Sequence, residues 1–158
     1  MNTPIILGVD PGTEGALAGL DAATGALIWI EDMPIIDKTV PAPLVVDLLT
    51  NEVIVAAHVE KVWASQGQGA SSSFNFGCGT GTILGVLAAM RVPVFRPTVA
   101  KWKRAQGVTA DKETSRLKAI ELWPEHSELF RFKKHHGRAE AALIGRNGWQ
   151  QHRQAAAA

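Results

Sequence analysis

The sequence predicts an α/β fold on three observations. Short apolar runs separated by turn residues open the chain, a longer buried run follows at 53–60, and helical periodicity takes over beyond residue 70. The β-branched run PIILGV at 4–9 is the first strand. EGALAGLD at 14–21 and GALIWIEDM at 25–33, parted by the turn residues Ala23, Thr24 and Gly25, complete an antiparallel meander. Pro41 and Pro43 precede LVVDLLTN, a short amphipathic helix, and VIVAAHVE at 53–60 is the next buried strand.

WASQGQGASSS, rich in Gly and Ser, forms a loop, after which Phe76, Thr80, Ile83, Leu84, Leu87 and Met90 mark one side of a helix. Gly77, Gly81 and Gly85 form a stripe along that helix. Glycine costs about 1 kcal/mol relative to alanine inside a helix, so the stripe predicts close approach to another backbone. That backbone belongs either to a partner subunit or to the sheet of the same chain. VPVFRP at 92–97 is a short strand, and Thr98 caps the helix VAKWKRA. Asp111 or Thr109 starts a further helix through KETSRLKAIELW to the stop at Pro124, with Lys112 and Arg116 on its exposed face. RAEAALIGRNGW at 138–149 is the last helix, opened by Gly137. No internal repeat or linker interrupts the pattern, which predicts one domain over 1–150 and a disordered tail over 151–158.

With 158 residues, 46% of them hydrophobic and 20% charged, the chain can build a core, and a disordered reading is excluded. One cysteine, Cys78, and no tyrosine leave neither a disulfide framework nor a cysteine-rich zinc site, which fits a reducing cytosol. The opening MNTPIILGVDPG lacks a basic segment, and Asp10 cuts its apolar run short of a signal peptide or membrane span. The expectation is a soluble cytoplasmic protein with no membrane partner.

Net charge is +1, but it is unevenly distributed. Residues 1–90 hold two bases, Lys38 and Lys61, against nine acids, whereas residues 91–158 hold fourteen bases against six. Either folding intermixes these charges or a basic face meets a polyanion.

Three carboxylates stand at element ends. Asp10 ends a buried strand and precedes Pro11-Gly12, so the chain turns there and leaves the acid at the rim of the sheet. Glu60 ends the next long buried strand, and Glu140 lies in the first turn of the last helix within the small, apolar AEAALIG. Taken singly, these acids are a turn residue, a strand end and a helix-dipole partner. Together they supply the oxygen donors that magnesium requires, and two such ions could clamp an in-line phosphoryl displacement. The candidate chemistry is phosphodiester hydrolysis. No Walker loop and no serine or cysteine triad is present.

GVDPGTEGALA, HVEKVWASQGQGASSSFNFG, PTVAKWKRAQGVTADKETSRLKAIELWP and KKHHGRAEAALIG, in that order and over nearly the whole chain, resemble the RuvC-type Holliday junction resolvases, in particular their small phage and bacterial branch. The resemblance implies a ribonuclease H-like fold with a five-stranded mixed sheet flanked by helices. It also implies a homodimer that resolves four-way DNA by paired nicks with two Mg2+ or Mn2+ ions per site, leaving 5′-phosphate and 3′-hydroxyl ends and using no nucleotide cofactor. The setting would be a bacterial cell or a phage-infected host.

Carried over to this chain, Asp10 would bridge the metals, Glu60 would be the second ligand and Glu140 the acid of the last helix. Lys101, Lys103, Arg104, Lys112 and Arg116 match the basic segment facing the phosphates, with Lys133 and Lys134 adding to it. The loop from Ser65 to Ser73, with Ser71 and Ser72, corresponds to the region approaching the junction centre. The family's further aspartate is replaced by the pair His135-His136. His136, four residues before Glu140, would face the same ion, with His135 as the alternative and a solvated DNA-facing pair as a third reading.

Two rival functions remain open: an inactive junction-binding protein of the same fold, and an actin-like nucleotide-binding protein suggested by Asp10-Pro11-Gly12-Thr13. The second would need duplicated domains for which 158 residues leave little room.

Overall fold

The computed structural model describes residues 3–63 and 69–157. Five strands form one mixed sheet: β1 (Pro4–Asp10), β2 (Ala16–Asp21), β3 (Leu27–Asp32), β4 (Val53–Val59) and β5 (Val94–Phe95). Their order is β3-β2-β1-β4-β5, with β1–β2 and β2–β3 antiparallel, and β1–β4 and β4–β5 parallel. The meander and the five strands expected from the sequence are all present. Helices α1 (Ala42–Leu49), α2 (Ala70–Ala89), α3 (Val99–Gln106), α4 (Lys112–Leu122) and α5 (His136–Ala156) flank the sheet, with 3-10 turns at Pro124–Phe130 and Lys133–His135.

Alternation along the strands makes two cores. Leu7, Val9, Leu17, Ala57 and Val59 pack under α1 and α2 with Val45, Leu49, Ile83 and Leu87. Ala16, Ala18 and Leu20 face the other way, toward Trp102, Ala119, Phe130 and the small residues of α5. The caps follow the sequence: Thr98 accepts from the Lys101 amide, and Asp111, rather than Thr109, caps α4 by accepting from the Glu113 amide.

Within the chain, close backbone approach occurs at glycines other than Gly77, Gly81 and Gly85. A Cβ at Gly8 would collide with the Ala141 carbonyl and the Gly145 amide, and one at Gly137 with the Glu14 carbonyl. Ala141 and Gly145 form the seam that lets α5 lie directly on β1, and Gly137, one turn earlier, lies on the β1–β2 turn at Glu14 and Gly15. Gly77, Gly81 and Gly85 are exposed, and no atom of the described residues stands within 4 Å of where their Cβ atoms would be, so the sheet of the same chain is not what that stripe approaches.

Three boundaries differ from expectation, the first being α2, which begins at Ala70 inside the stretch expected as a loop at 63–73. Helix α5 begins at His136, ahead of Gly137, because the 3-10 turn at 133–135 runs straight into it, and Glu140 therefore sits in its second turn. The residues expected as a tail from 151 continue the helix to Ala156. They are held by packing: the His152 ring meets His58 and Phe95, and Arg153 lies over Trp149. No helix among the described residues is long and apolar enough to cross a membrane.

Candidate active site

The end of β1, the end of β4 and the first turns of α5 converge at one rim of the sheet. Asp10 is the last residue of β1, and its Oδ1 accepts from the Gly12 amide at 3.1 Å, closing the turn that Pro11-Gly12 starts. Glu60 follows β4 directly, and its amide donates to the Val9 carbonyl at 3.0 Å, which sets it beside Asp10. Arg96 fixes this corner by donating to the carbonyls of Val59 and Glu60, both at 3.1 Å. The Glu60 carboxylate turns toward α3, where buried Trp102 donates its indole N–H to Oε1 at 2.7 Å. Glu140 reaches the same region from α5. Its Oε1 accepts from Lys103 Nζ at 2.7 Å and from the Ser115 hydroxyl at 3.3 Å.

Both strand-end acids are held away from their ionised forms. Burial raises the Asp10 carboxyl to about 6, with Glu140 adding repulsion, while the Gly12 amide, His136 and Lys112 act in the opposite direction. Burial likewise raises Glu60 to about 7, reinforced by the charges of Asp10 and Glu140 and opposed by Trp102 and Lys103. Buried carboxylates that repel one another suit a hard divalent cation, which would remove both penalties at once. The donor chemistry at Asp10 and Glu60 fits such an ion. Among the described residues, however, no three His, Cys, Asp or Glu side chains converge into a closed metal centre, and the third acid is engaged by Lys103.

The two histidines diverge. His136 lines a cavity of about 300 Å³ together with Asp10, Thr13, Phe76, Lys112 and Glu140. Its Nε2 accepts from Lys112 Nζ at 2.9 Å and its Nδ1 donates to the Lys133 carbonyl at 3.3 Å, so a single tautomer satisfies both contacts. His135 lines the adjoining cavity with Asp32, Lys134 and Arg138, and its Nδ1 accepts from the Phe132 amide at 3.4 Å. Burial, with help from Arg138 and Lys134, lowers its pKa.

The basic segment divides into exposed and engaged groups. Lys101, Arg104, Lys133 and Lys134 are exposed, as are Ser71 and Ser72 in the first turn of α2. The rest of the expected loop lies outside the described residues as far as residue 68. Lys103 is largely covered and paired with Glu140 instead of facing solvent. Arg116 also departs from the expected exposed face. Its guanidinium pairs with Glu113 and donates to the carbonyls of Phe130 (2.9 Å) and Arg131 (3.1 Å), tying α4 to the segment that leads into α5.

Trp102, Ser115 and Arg96 were not foreseen, since only the packed fold brings them to the acids. Two exposed aromatics were also missed. Trp63 is 70% exposed with Lys61 Nζ 4.6 Å from its ring centroid, and Phe74 is 71% exposed. Nothing in the local sequence separates them from core aromatics, and only exposure sets them apart.

No family model matches the chain, and no curated protein matches it. Among solved structures, the T. thermophilus RuvC in complex with Holliday junction substrate is similar, with a TM-score of 0.68 at 18% identity over 94% of this chain and 95% of that one. A second Thermus thermophilus RuvC structure gives a TM-score of 0.63 at 19% identity over 95% and 96% of the respective chains. The chain thus has the ribonuclease H-like fold of RuvC, a five-stranded mixed sheet with flanking helices.

Proposed function

We propose that this chain is a metal-dependent, structure-selective endonuclease of branched DNA, with four-way junctions as its preferred substrate. The observation that carries this reading is the pair Asp10 and Glu60. They are carboxyls at adjacent strand ends, raised to about 6 and about 7 by burial, in a fold shared with a RuvC bound to a Holliday junction. Asp10 and Glu60 would hold Mg2+ or Mn2+, with Glu140 and His136 on the α5 side. Two such ions when bound supply an activated water and charge stabilisation for an in-line phosphodiester displacement, leaving 5′-phosphate and 3′-hydroxyl ends.

The remaining work falls to the chain. Trp102 fixes the Glu60 carboxylate through Oε1, and Ser115 and Lys103 fix Glu140. Lys112, whose ammonium lies in the Asp10 cavity beside His136, offers positive charge to the phosphate under attack. Lys101, Arg104, Lys133 and Lys134 give sequence-independent affinity for flanking phosphates, and Ser71 and Ser72 add hydroxyl donors. Trp63 and Phe74 provide faces on which unpaired bases at a branch point can stack. Paired nicks on a near-symmetric substrate call for a homodimer, and the exposed Gly77, Gly81, Gly85 stripe is a surface on which a second copy could approach closely.

The Lys103–Glu140 ion pair favours a second reading, a junction-binding protein that does not cut. Incubating the protein with a labelled four-way junction and a matched duplex, with Mg2+, Mn2+ or EDTA, separates the two. Metal-dependent nicks confined to the junction support the endonuclease, binding without nicks supports the second reading, and equal affinity for junction and duplex contradicts both.

A further inference from the structure

In the acidic N-terminal portion of the chain, Lys38 makes no ion pair among the described residues and has an unusual backbone. The segment between β3 and α1 folds into a tight hairpin in which Ile36 and Thr39 exchange backbone hydrogen bonds of 3.0 and 2.9 Å. The Thr39 hydroxyl also donates to the Ile36 carbonyl at 2.7 Å. The two residues at its tip, Asp37 and Lys38, both have positive φ, 49° and 62°. Such a turn ordinarily takes Asn and Gly, and a lysine held in this region is a local conflict of the kind found at functional positions.

The turn places Lys38 at a cavity of about 490 Å³ that it shares with Thr13, Ile35, Ser72, Asn75 and Phe76. Thr13 and Phe76 also line the cavity that holds Asp10, Lys112, His136 and Glu140, so the two spaces adjoin. Among the described residues, no carboxylate lies within ion-pair distance of Lys38. An ammonium without an ion-pair partner that lines one cavity with two hydroxyl residues and an amide is a donor set suited to a phosphate group.

We propose that Lys38, with Thr13, Ser72 and Asn75, holds a backbone phosphate of the DNA strand next to the one cut at Asp10, and so sets which phosphodiester enters the site. The inference rests on the branched-DNA reading above and adds to it a contact from the acidic N-terminal portion of the sequence.

The test compares the wild-type protein with Lys38→Gly, which removes the charge but suits the turn, and with Lys38→Arg, which keeps the charge. Affinity for a four-way junction is measured from 50 to 200 mM salt without divalent metal, and cut positions are mapped on end-labelled junctions with metal. Loss of one phosphate contact lowers the slope of log affinity against log salt by about 0.9, so wild type should lose about 3.5-fold more affinity over that range than Lys38→Gly. Lys38→Gly should also spread cleavage over neighbouring phosphodiesters, and Lys38→Arg should restore both the slope and the cut position.

An unchanged slope and unchanged cut positions in Lys38→Gly, alongside normal wild-type cleavage, overturn the contact and leave the endonuclease reading standing. Wild-type protein that neither binds nor cuts the junction overturns both. Inorganic phosphate that shifts the NMR signals of Thr13, Ser72 and Asn75 in wild type, with the DNA slope unchanged in Lys38→Gly, assigns a free-anion pocket and overturns the strand contact.

Discussion

Lys103 Nζ lies 2.7 Å from Glu140 Oε1, with only 11% and 10% of the two side chains exposed. One residue comes from α3 in the basic segment and the other from α5, and their pairing places positive charge beside the strand-end acids. Removing one member of a buried pair strands the other, at a cost of about 3 kcal/mol. Lys103→Met should therefore destabilise the metal-free protein by about that amount in urea denaturation. Saturating Mn2+ should recover part of the loss. A variant as stable as wild type in EDTA would show that Glu140 does not depend on Lys103.

The strand-end acids predict the opposite effect on stability. A carboxyl whose folded pKa is raised contributes stability that is full below its unfolded value near 4 and is lost as pH rises through the folded value. For Asp10 and Glu60 that loss is complete above about 6 and about 7. At pH 7.5 without metal, Glu60→Gln and Asp10→Asn should each raise stability, by about 1–2 kcal/mol after allowance for solvent screening. At pH 4.5 the gain should shrink toward zero. Thermal melts across this range check the prediction, and a variant less stable than wild type at pH 7.5 contradicts it.

His58 acts in the same pH window with the reverse sign. It is buried, stacked on Phe95 at 5.0 Å, and its Nε2 lies 3.3 Å from His152 Nε2. Burial, with repulsion from His152 and Lys101, lowers its pKa to about 4. Because its folded pKa is depressed, the stability it confers is full above 6.5 and is lost as pH falls toward 4, by about 2–3 kcal/mol. His58→Gln should flatten this acid limb in denaturant titrations, and an unchanged limb would assign the loss to other groups.

Lys112 and Arg116, one helical turn apart on α4, should separate by phenotype. Arg116→Ala frees Glu113 and leaves the Phe130 and Arg131 carbonyls without their donor, so it should cost about 1–3 kcal/mol of stability while the salt dependence of DNA binding stays near wild type. Lys112→Ala should leave the melt unchanged and reduce the salt slope by about 0.9. The reverse assignment would return Arg116 to the DNA-facing surface.

What the sequence revealed and what it concealed follow from the range of the interactions. Asp10 before Pro11-Gly12 and Glu60 at the end of VIVAAHVE are local signals, because the end of a buried strand brings its last residue to the rim in any parallel arrangement. The five strands could be read for the same reason. The environment of Glu140 could not, since it depends on α3 and α4 packing on α5 across 37 and 25 residues of chain. The glycine spacing left a partner subunit and the chain's own sheet both open, because spacing alone does not distinguish a seam within the chain from an open face. Gly77, Gly81 and Gly85 look like a contact stripe, yet α5 meets β1 at Gly145 and Gly8. Which of His135 and His136 turns toward Asp10 depended on where the 3-10 turn becomes α-helix, and neighbouring residues at such a boundary carry no sequence signal for that.

The most direct test of the central claim compares binding and cleavage of one labelled four-way junction by wild type and Asp10→Asn, in the presence of Mn2+ or Mg2+. Asp10→Asn removes a metal-binding charge and leaves Lys101, Arg104, Lys133 and Lys134 in place, so junction affinity should stay within about twofold of wild type. Cleavage should fall at least about a hundredfold, since altering groups that merely support a metal ligand already costs 10–100-fold. Asp10→Asn protein that binds the junction normally and still cuts it at near wild-type rate would contradict the account.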